Sequence, residues 1–175
     1  MRVIAGEFRS RVLKSPPGLA TRPTPDRLRE SLFNILAPEI EGITFFDGYA
    51  GSGAVGIEAL SRGASRAIFV ERSRSAVDVL RENLGALKIE ARAEVFTGKV
   101  TQVLVRKTAD IVFLDPPYEL EAEYQQALAL LGSDPAPLVI VQHTAHFDPG
   151  DSHGALRRTR TVRHGTNGLS FYRPS

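Results

Sequence analysis

The apolar run Ile43-Thr44-Phe45-Phe46 breaks directly into Asp47-Gly48-Tyr49-Ala50-Gly51-Ser52-Gly53, and a helix-forming stretch begins at once. A buried strand that enters a helix through so tight a glycine loop must send the chain back over the sheet, and that connection leads to a parallel neighbour. The rest of the sequence keeps the pattern. Strand-like runs at 43–46, 67–70, 94–97, 110–114 and 138–142 alternate with helical periodicity at 53–62, 74–87, 99–107 and 121–131. Two more strand-like runs, 156–163 and 168–173, flank Gly165-Thr166-Asn167-Gly168, where Asn-Gly is a favoured hairpin pair. The expectation is an α/β, Rossmann-like fold: a mainly parallel seven-stranded sheet that ends in an antiparallel hairpin.

Residues 1–36 read as an extension to that core, which takes up 37–175. Runs at 2–5 and 11–13 suggest a short β-hairpin around Gly6, ended by Ser15-Pro16-Pro17-Gly18. Thr24 and Pro25 then suit the N-cap and first position of a helix with Leu28, Leu32, Ile35 and Leu36 on one apolar stripe. Arg27 and Arg29 are expected on its other face.

Gly51, Gly53 and Gly56 satisfy G-x-G-x-x-G, a pattern shared with nicotinamide and flavin sites. Asp47 favours a different ligand. A carboxylate four residues before the first glycine would repel a pyrophosphate but suits the ammonium of a methionine moiety, which points to S-adenosyl-L-methionine. The second strand, 67–70, ends at Glu71, where an acidic residue accepts hydrogen bonds from ribose hydroxyls. The expected cofactor set is Asp47, Gly48, Ala50, Gly51, Ser52, Gly53, Glu71, Arg72 and Gly98.

The fourth strand closes on Asp115-Pro116-Pro117-Tyr118. An amine conjugated to an aromatic ring is a poor nucleophile, because its lone pair is delocalised. An Asp carboxylate and a proline-held carbonyl can accept its N–H bonds, and an aromatic face can stack on the base. These four residues are the expected catalytic set for methylating an exocyclic amine, whether on RNA, DNA or protein. The expected product of the cofactor is S-adenosylhomocysteine. His143 and His146 lie three apart without a cysteine nearby, and no metal is expected.

Composition narrows the setting. The chain has no cysteine, so disulfides, thiolate metal sites and a cysteine nucleophile are excluded. No apolar stretch approaches the ~20 residues that cross a bilayer, and a cytoplasmic protein without membrane partners is expected. Charge is uneven: residues 1–36 carry +4, 37–150 carry −6 and 151–175 carry +4. Basic ends around an acidic middle suggest contact with a polyanion. Arg22, Arg27, Arg29, Arg157, Arg158, Arg160 and Arg163 are the candidate RNA-binding residues.

Four stretches together resemble one family over nearly the whole chain: Arg2 to Gly6; Thr21-Arg22-Pro23-Thr24-Pro25-Asp26-Arg27 through Leu32-Phe33-Asn34; Asp47 to Gly56 with Ala59 to Ala64; and Asp115 to Tyr118. The resemblance is to the RsmD type of bacterial guanine-N2 methyltransferase of small-subunit ribosomal RNA. It implies a class I S-adenosylmethionine-dependent enzyme that methylates a guanine of 16S rRNA (guanine 966 in the family) on the small subunit or a late assembly intermediate, as a monomer. The chain departs from the family's usual pattern at Gly48-Tyr49, normally an apolar pair, and at Thr97-Gly98-Lys99, where an acidic residue is common. Gly98 backbone or the Thr97 hydroxyl is expected to take over that adenine contact. Gln142 and Arg163-His164-Gly165 depart as well.

Overall fold

The computed structural model describes residues 1–17, 25–117 and 121–175. In chain order the elements are α1 (Asp26–Leu36), β1 (Thr44–Gly48), α2 (Ala54–Ser61), β2 (Arg66–Glu71), α3 (Arg74–Leu87), β3 (Ala93–Thr97), α4 (Val100–Leu104), β4 (Ile111–Leu114), α5 (Glu121–Ser133), β5 (Leu138–Thr144), β6 (Ser152–His153), β7 (Leu156–His164) and β8 (Asn167–Pro174). The strands form one sheet in the order β3-β2-β1-β4-β5-β8-β7-β6. Pairs from β3 to β5 are parallel, and β5–β8, β8–β7 and β7–β6 are antiparallel. The expected parallel sheet with a terminal hairpin is present, with eight strands rather than seven. The extra one is the two-residue edge strand Ser152–His153, too short to leave a periodic signal.

Strand residues alternate between two cores. Phe45, Ala67, Phe69, Ile111, Phe113 and Ile140 pack on the side of α1, α2 and α3. Phe46, Ile68, Val70, Val112, Leu114 and Val141 pack on the side of α4 and α5. Both faces are covered, which is why the central strands read as unbroken apolar runs.

Element ends shift by a residue or two along the chain, and three departures have a visible cause. The N-terminal hairpin reduces to one antiparallel bridge, Arg2 to Val12. Across that bridge Val3 N–H donates to the Arg11 carbonyl at 3.0 Å and Leu13 N–H to the Met1 carbonyl at 2.8 Å. Donors nearer the tip turn to α2: Glu58 accepts Ile4 N–H (2.9 Å) and Ala5 N–H (3.1 Å), and Ser61 Oγ accepts Phe8 N–H (3.0 Å). Val3, Phe8 and Leu13 join the α1–α2–α3 core, so residues 1–17 and α1 share a core with the sheet. Second, α1 starts at Asp26 with Pro25 as its cap, one residue later than expected, while Thr24 lies outside the described residues. Third, α4 stops at Leu104, because only Val100 and Val103 are buried and its valine- and threonine-rich run has low helix propensity.

Candidate active site

The sheet order decides where a site can form. The chain runs outward from β1 to β2 and β3, then returns to β4 on the other side of β1. Loops leaving β1 and β4 therefore diverge, and the crevice at the carboxyl ends of these strands is the topological switch point. Register sets the distance across it: Gly48 pairs with Leu114, so Asp115 leaves the sheet beside Tyr49. A cleft of about 590 Å³ lies there. Asp47, Ala50, Gly51, Ser52, Glu71, Arg72 and Gly98 line it together with Asp115, Pro116 and Pro117. Tyr118 lies outside the described residues, as does Arg22.

Gly48 and Gly53 shape the loop without lining the cleft. A side chain on Gly48 would press on Leu114 Cδ2 at 2.9 Å, inside the sheet. Gly53 caps α2 with φ +86°, and a methyl group there would collide with Leu80 Cδ1. Gly56 has a different reason: its missing side chain makes room for the Phe69 ring, which seats α2 on β2. This close helix–strand contact brings the Gly56 N–H to Asp47 Oδ2 at 2.9 Å.

Asp47 is only 2% exposed. Burial pushes its carboxyl well above the usual range; the Gly56 N–H opposes this, and the Asp115 and Glu71 charges add to it. The cleft thus holds a buried acid that a nearby cation would stabilise in its charged form. Glu71 organises the loop: Oε1 accepts the Gly51 N–H at 2.9 Å and Oε2 the Ser73 N–H at 2.7 Å. Each oxygen keeps a second lone pair for a ligand hydroxyl.

Of the two residues expected near adenine, Gly98 lines the cleft, its N–H donating to the Glu71 carbonyl at 3.0 Å, whereas Thr97 is exposed and is not among the lining residues. Lys99, Val100, Ser73 and Ser75 line the cleft as well. At the Asp115 end, Tyr124 Oη lies 2.7 Å from the Gln142 carbonyl and 3.4 Å from the Pro116 carbonyl. The hydroxyl proton belongs to the shorter contact, so the Pro116 oxygen keeps acceptor capacity.

The candidate RNA-binding arginines separate. Arg27 is exposed on α1. Arg29 is fully buried, contrary to the expectation of an outward face. Positions 29, 32, 33 and 36 share a helical stripe, which places Arg29 beside Leu32, Phe33 and Leu36. Its Nη2 donates to the Arg2 carbonyl at 2.7 Å and to Asp26 at 3.1 Å, while Nε and Nη1 have no hydrogen-bond partner among the described residues. Burial lowers its pKa, although Glu58 and Asp26 counter this.

On β7 a bulge between Arg158 and Arg160 divides the basic run. Arg158 is tied to Asp148 at 2.8 Å and Asp151 at 2.6 Å, so its charge is already matched. Arg157 pairs with Arg173 at the far end of the hairpin, whereas Arg163 stands beside the turn, at the edge of the sheet where the cleft opens. Six strand positions separate them by ~20 Å. Arg160 is exposed. Ser31 Oγ lies 2.9 Å from His164 Nε2 and joins α1 to this turn. Both ring nitrogens of His143 are engaged, with the Thr144 carbonyl and Ser170 Oγ, each at 2.8 Å.

Sequence reasoning missed a wall of the cleft. Met1, Ser15, Pro16, Pro17 and Pro25 line it, as do Tyr49 and Glu123. Asn83 fixes part of this wall: its side chain bonds Lys14 N–H and carbonyl and also the Ser52 carbonyl. An asparagine on the buried stripe of α3 was the available signal.

Fold and cleft together define a Rossmann-like domain of the class I S-adenosylmethionine-dependent methyltransferases. The family model described as Conserved hypothetical protein 95 matches residues 1–173. YlbH of Bacillus subtilis, provisionally named an rRNA methyltransferase, is 35% identical over 182 residues, covering 99% of this chain and 98% of its own. Ribosomal RNA small subunit methyltransferase D of Escherichia coli K12 is 43% identical over 120 residues, 67% of this chain and 60% of the relative. A solved Escherichia coli structure provisionally titled methyltransferase yhhF superposes with a TM-score of 0.85 at 34% identity, over 100% of this chain and 98% of that one. The chain belongs to this RsmD-type family.

Proposed function

We propose that the protein transfers a methyl group from S-adenosyl-L-methionine to the exocyclic N2 amine of a guanine in 16S ribosomal RNA of the small subunit, at the family's guanine 966. One observation carries the reading: Asp115 and Pro116 share a single cleft with Asp47, the glycine loop and Glu71. The cleft suits a cationic cofactor better than a dinucleotide, because the carboxylates of Asp47, Glu71 and Asp115 influence one another there. When bound, S-adenosylmethionine supplies a methyl group already activated by a neutral leaving thioether.

The chain's own residues then hold and orient. Asp47 faces the ammonium end, Glu71 the ribose hydroxyls, and Val100 with Lys99 and Ser75 the adenine end. Asp115 accepts one N–H of the guanine amine and the Pro116 carbonyl the other, which restores lone-pair density on nitrogen toward the methyl group. As the nitrogen–carbon bond forms and the carbon–sulfur bond breaks, the nitrogen loses a proton to Asp115 and then to solvent. Tyr118 offers a stacking face for a base that has left its helix. Arg22, Arg27, Arg160 and Arg163 meet the phosphate backbone, with Arg163 at the same end of the sheet as the cleft.

The test is transfer of labelled methyl to small subunits from a strain lacking the modification, followed by nucleoside analysis. N2-methylguanosine in 16S RNA, and its loss in Asp115→Ala, is the expected result. Inert subunits and naked RNA, with duplex DNA accepting methyl on adenine, would replace this reading with a DNA amino-methyltransferase.

A further inference from the structure

Two side chains from separate segments of the cleft converge on the carboxylate of a third. Tyr49, in the glycine loop, donates from its hydroxyl to Glu123 Oε2 at 2.7 Å. Arg72, next to Glu71, brings Nη1 to 4.0 Å from Glu123 Oε1. Glu123 stands in the first turn of α5, the helix that follows the Asp115 segment. All three line the cleft, and the side chain of Glu123 is only 19% exposed.

Tyr49 is also one of three non-glycine residues with positive φ among the described residues, at +62°. A bulky side chain in the left-handed region costs free energy and persists only where its surroundings hold it. The loop is held by backbone: Ala50 N–H donates to Val70 at 2.9 Å and Gly53 N–H to Ala50 at 2.8 Å. Glu71 holds the Gly51 N–H at 2.9 Å, and the Tyr49 side chain is tied by its bond to Glu123. Burial, followed by the Glu123 hydrogen bond, pushes the phenol upward, so it remains a donor.

We infer that Glu123 is a positioning residue: through Tyr49 and Arg72 it fixes the glycine loop and couples the cofactor half of the cleft to the half that carries Asp115. This rests on the proposed methyl transfer. Neither Tyr49 nor Glu123 touches the reacting atoms in that scheme. Their effect is on where Ala50, Gly51 and Glu71 stand when the cofactor arrives.

The test uses the full chain with Glu123→Ala, Glu123→Gln, Tyr49→Phe and the double variant Tyr49→Phe/Glu123→Ala. Affinity for S-adenosylhomocysteine is measured by calorimetry, which needs no RNA, alongside unfolding midpoints and the split between KM and kcat. Glu123→Ala and Tyr49→Phe should each weaken binding about tenfold, the loss expected for a hydrogen bond to a charged group. The double variant should be no weaker than Glu123→Ala, since the Tyr49–Glu123 bond is already lost in Glu123→Ala. Glu123→Gln keeps an acceptor for Tyr49 and should recover most of the affinity. KM for S-adenosylmethionine should rise more than kcat falls, and unfolding midpoints should fall by no more than about 3–6 °C, since the bond is also present without ligand.

Affinities within twofold of the parent in every variant, or losses that add in the double, would overturn the coupling and leave the proposed function standing. A parent protein that does not bind S-adenosylhomocysteine would overturn both.

Discussion

Two glycines of one loop separate access from packing. Gly51 and Gly53 both have positive φ, at +57° and +86°. Around a methyl group added at Gly51 there is no heavy atom within 4 Å, whereas one at Gly53 runs into Leu80 and meets Ile57 and Phe69 at 3.4 Å. Alanine at Gly51 therefore meets only the left-handed backbone, ~1–2 kcal/mol, partly offset by the lower entropy of its unfolded chain. At Gly53 the same backbone term is joined by overpacking of ~1–3 kcal/mol, because Leu80 is fully buried and must leave its rotamer. For a chain of this size each kcal/mol lowers the unfolding midpoint by about 2–4 °C. Gly51→Ala should fall by ~2–5 °C and Gly53→Ala by ~5–15 °C in thermal unfolding of the ligand-free protein. Affinity for S-adenosylhomocysteine should follow the opposite ranking once corrected for the folded fraction, since Gly51 lines the cleft and Gly53 does not. Equal midpoints for the two variants would refute the packing argument.

Asp47→Asn should raise the stability of the ligand-free protein at neutral pH while weakening cofactor binding. Burial raises the folded pKa of Asp47, with Asp115 and Glu71 adding to it, so the folded state holds the proton more tightly and parent stability falls as pH rises from about 4 toward that raised value. Thermal scans from pH 4 to 8 should show a flatter decline in the variant, and parallel curves would count against a strained carboxylate. Asp148 acts in the opposite sense: its bond with Arg158 holds it below the usual carboxylate range, so Asp148→Asn should lessen the stability lost on acidification below about pH 4. Arg29→Met should leave the salt dependence of RNA binding unchanged, whereas Arg163→Ala should reduce the slope of log K against log salt by about one phosphate contact; the reverse pattern would return Arg29 to the RNA surface.

The parallel core was legible because its central strands β1, β2, β4 and β5 are buried on both faces, which leaves an apolar run with an unmistakable end. Asp47, Glu71 and Asp115 could be picked out for the same reason, since each follows such a run. Arg29 was misread because charge was taken as a sign of exposure, although the spacing to Leu32, Phe33 and Leu36 already placed it inward. The division of the β7 arginines was hidden by a bulge, which shifts strand phase without any glycine or proline to announce it. The cleft wall of Met1, Ser15 and Pro16 left no signal of its own beyond the buried Asn83 on α3. It depends on bonds from Glu58, Ser61 and Asn83 across more than fifty residues of chain.

The sheet's order also has a bearing on synthesis. β8 is the last strand in the chain, yet it lies between β5 and β7 and pairs with both. Until residues 167–174 are in place, the seven-residue flank of β5 is an open edge of Leu138-Val139-Ile140-Val141, the kind of segment that recruits strands from other molecules. A message that stopped after β7 would thus yield an adhesive intermediate rather than a slightly shortened enzyme. The antiparallel hairpin is the piece that makes the parallel core safe to leave alone in solution.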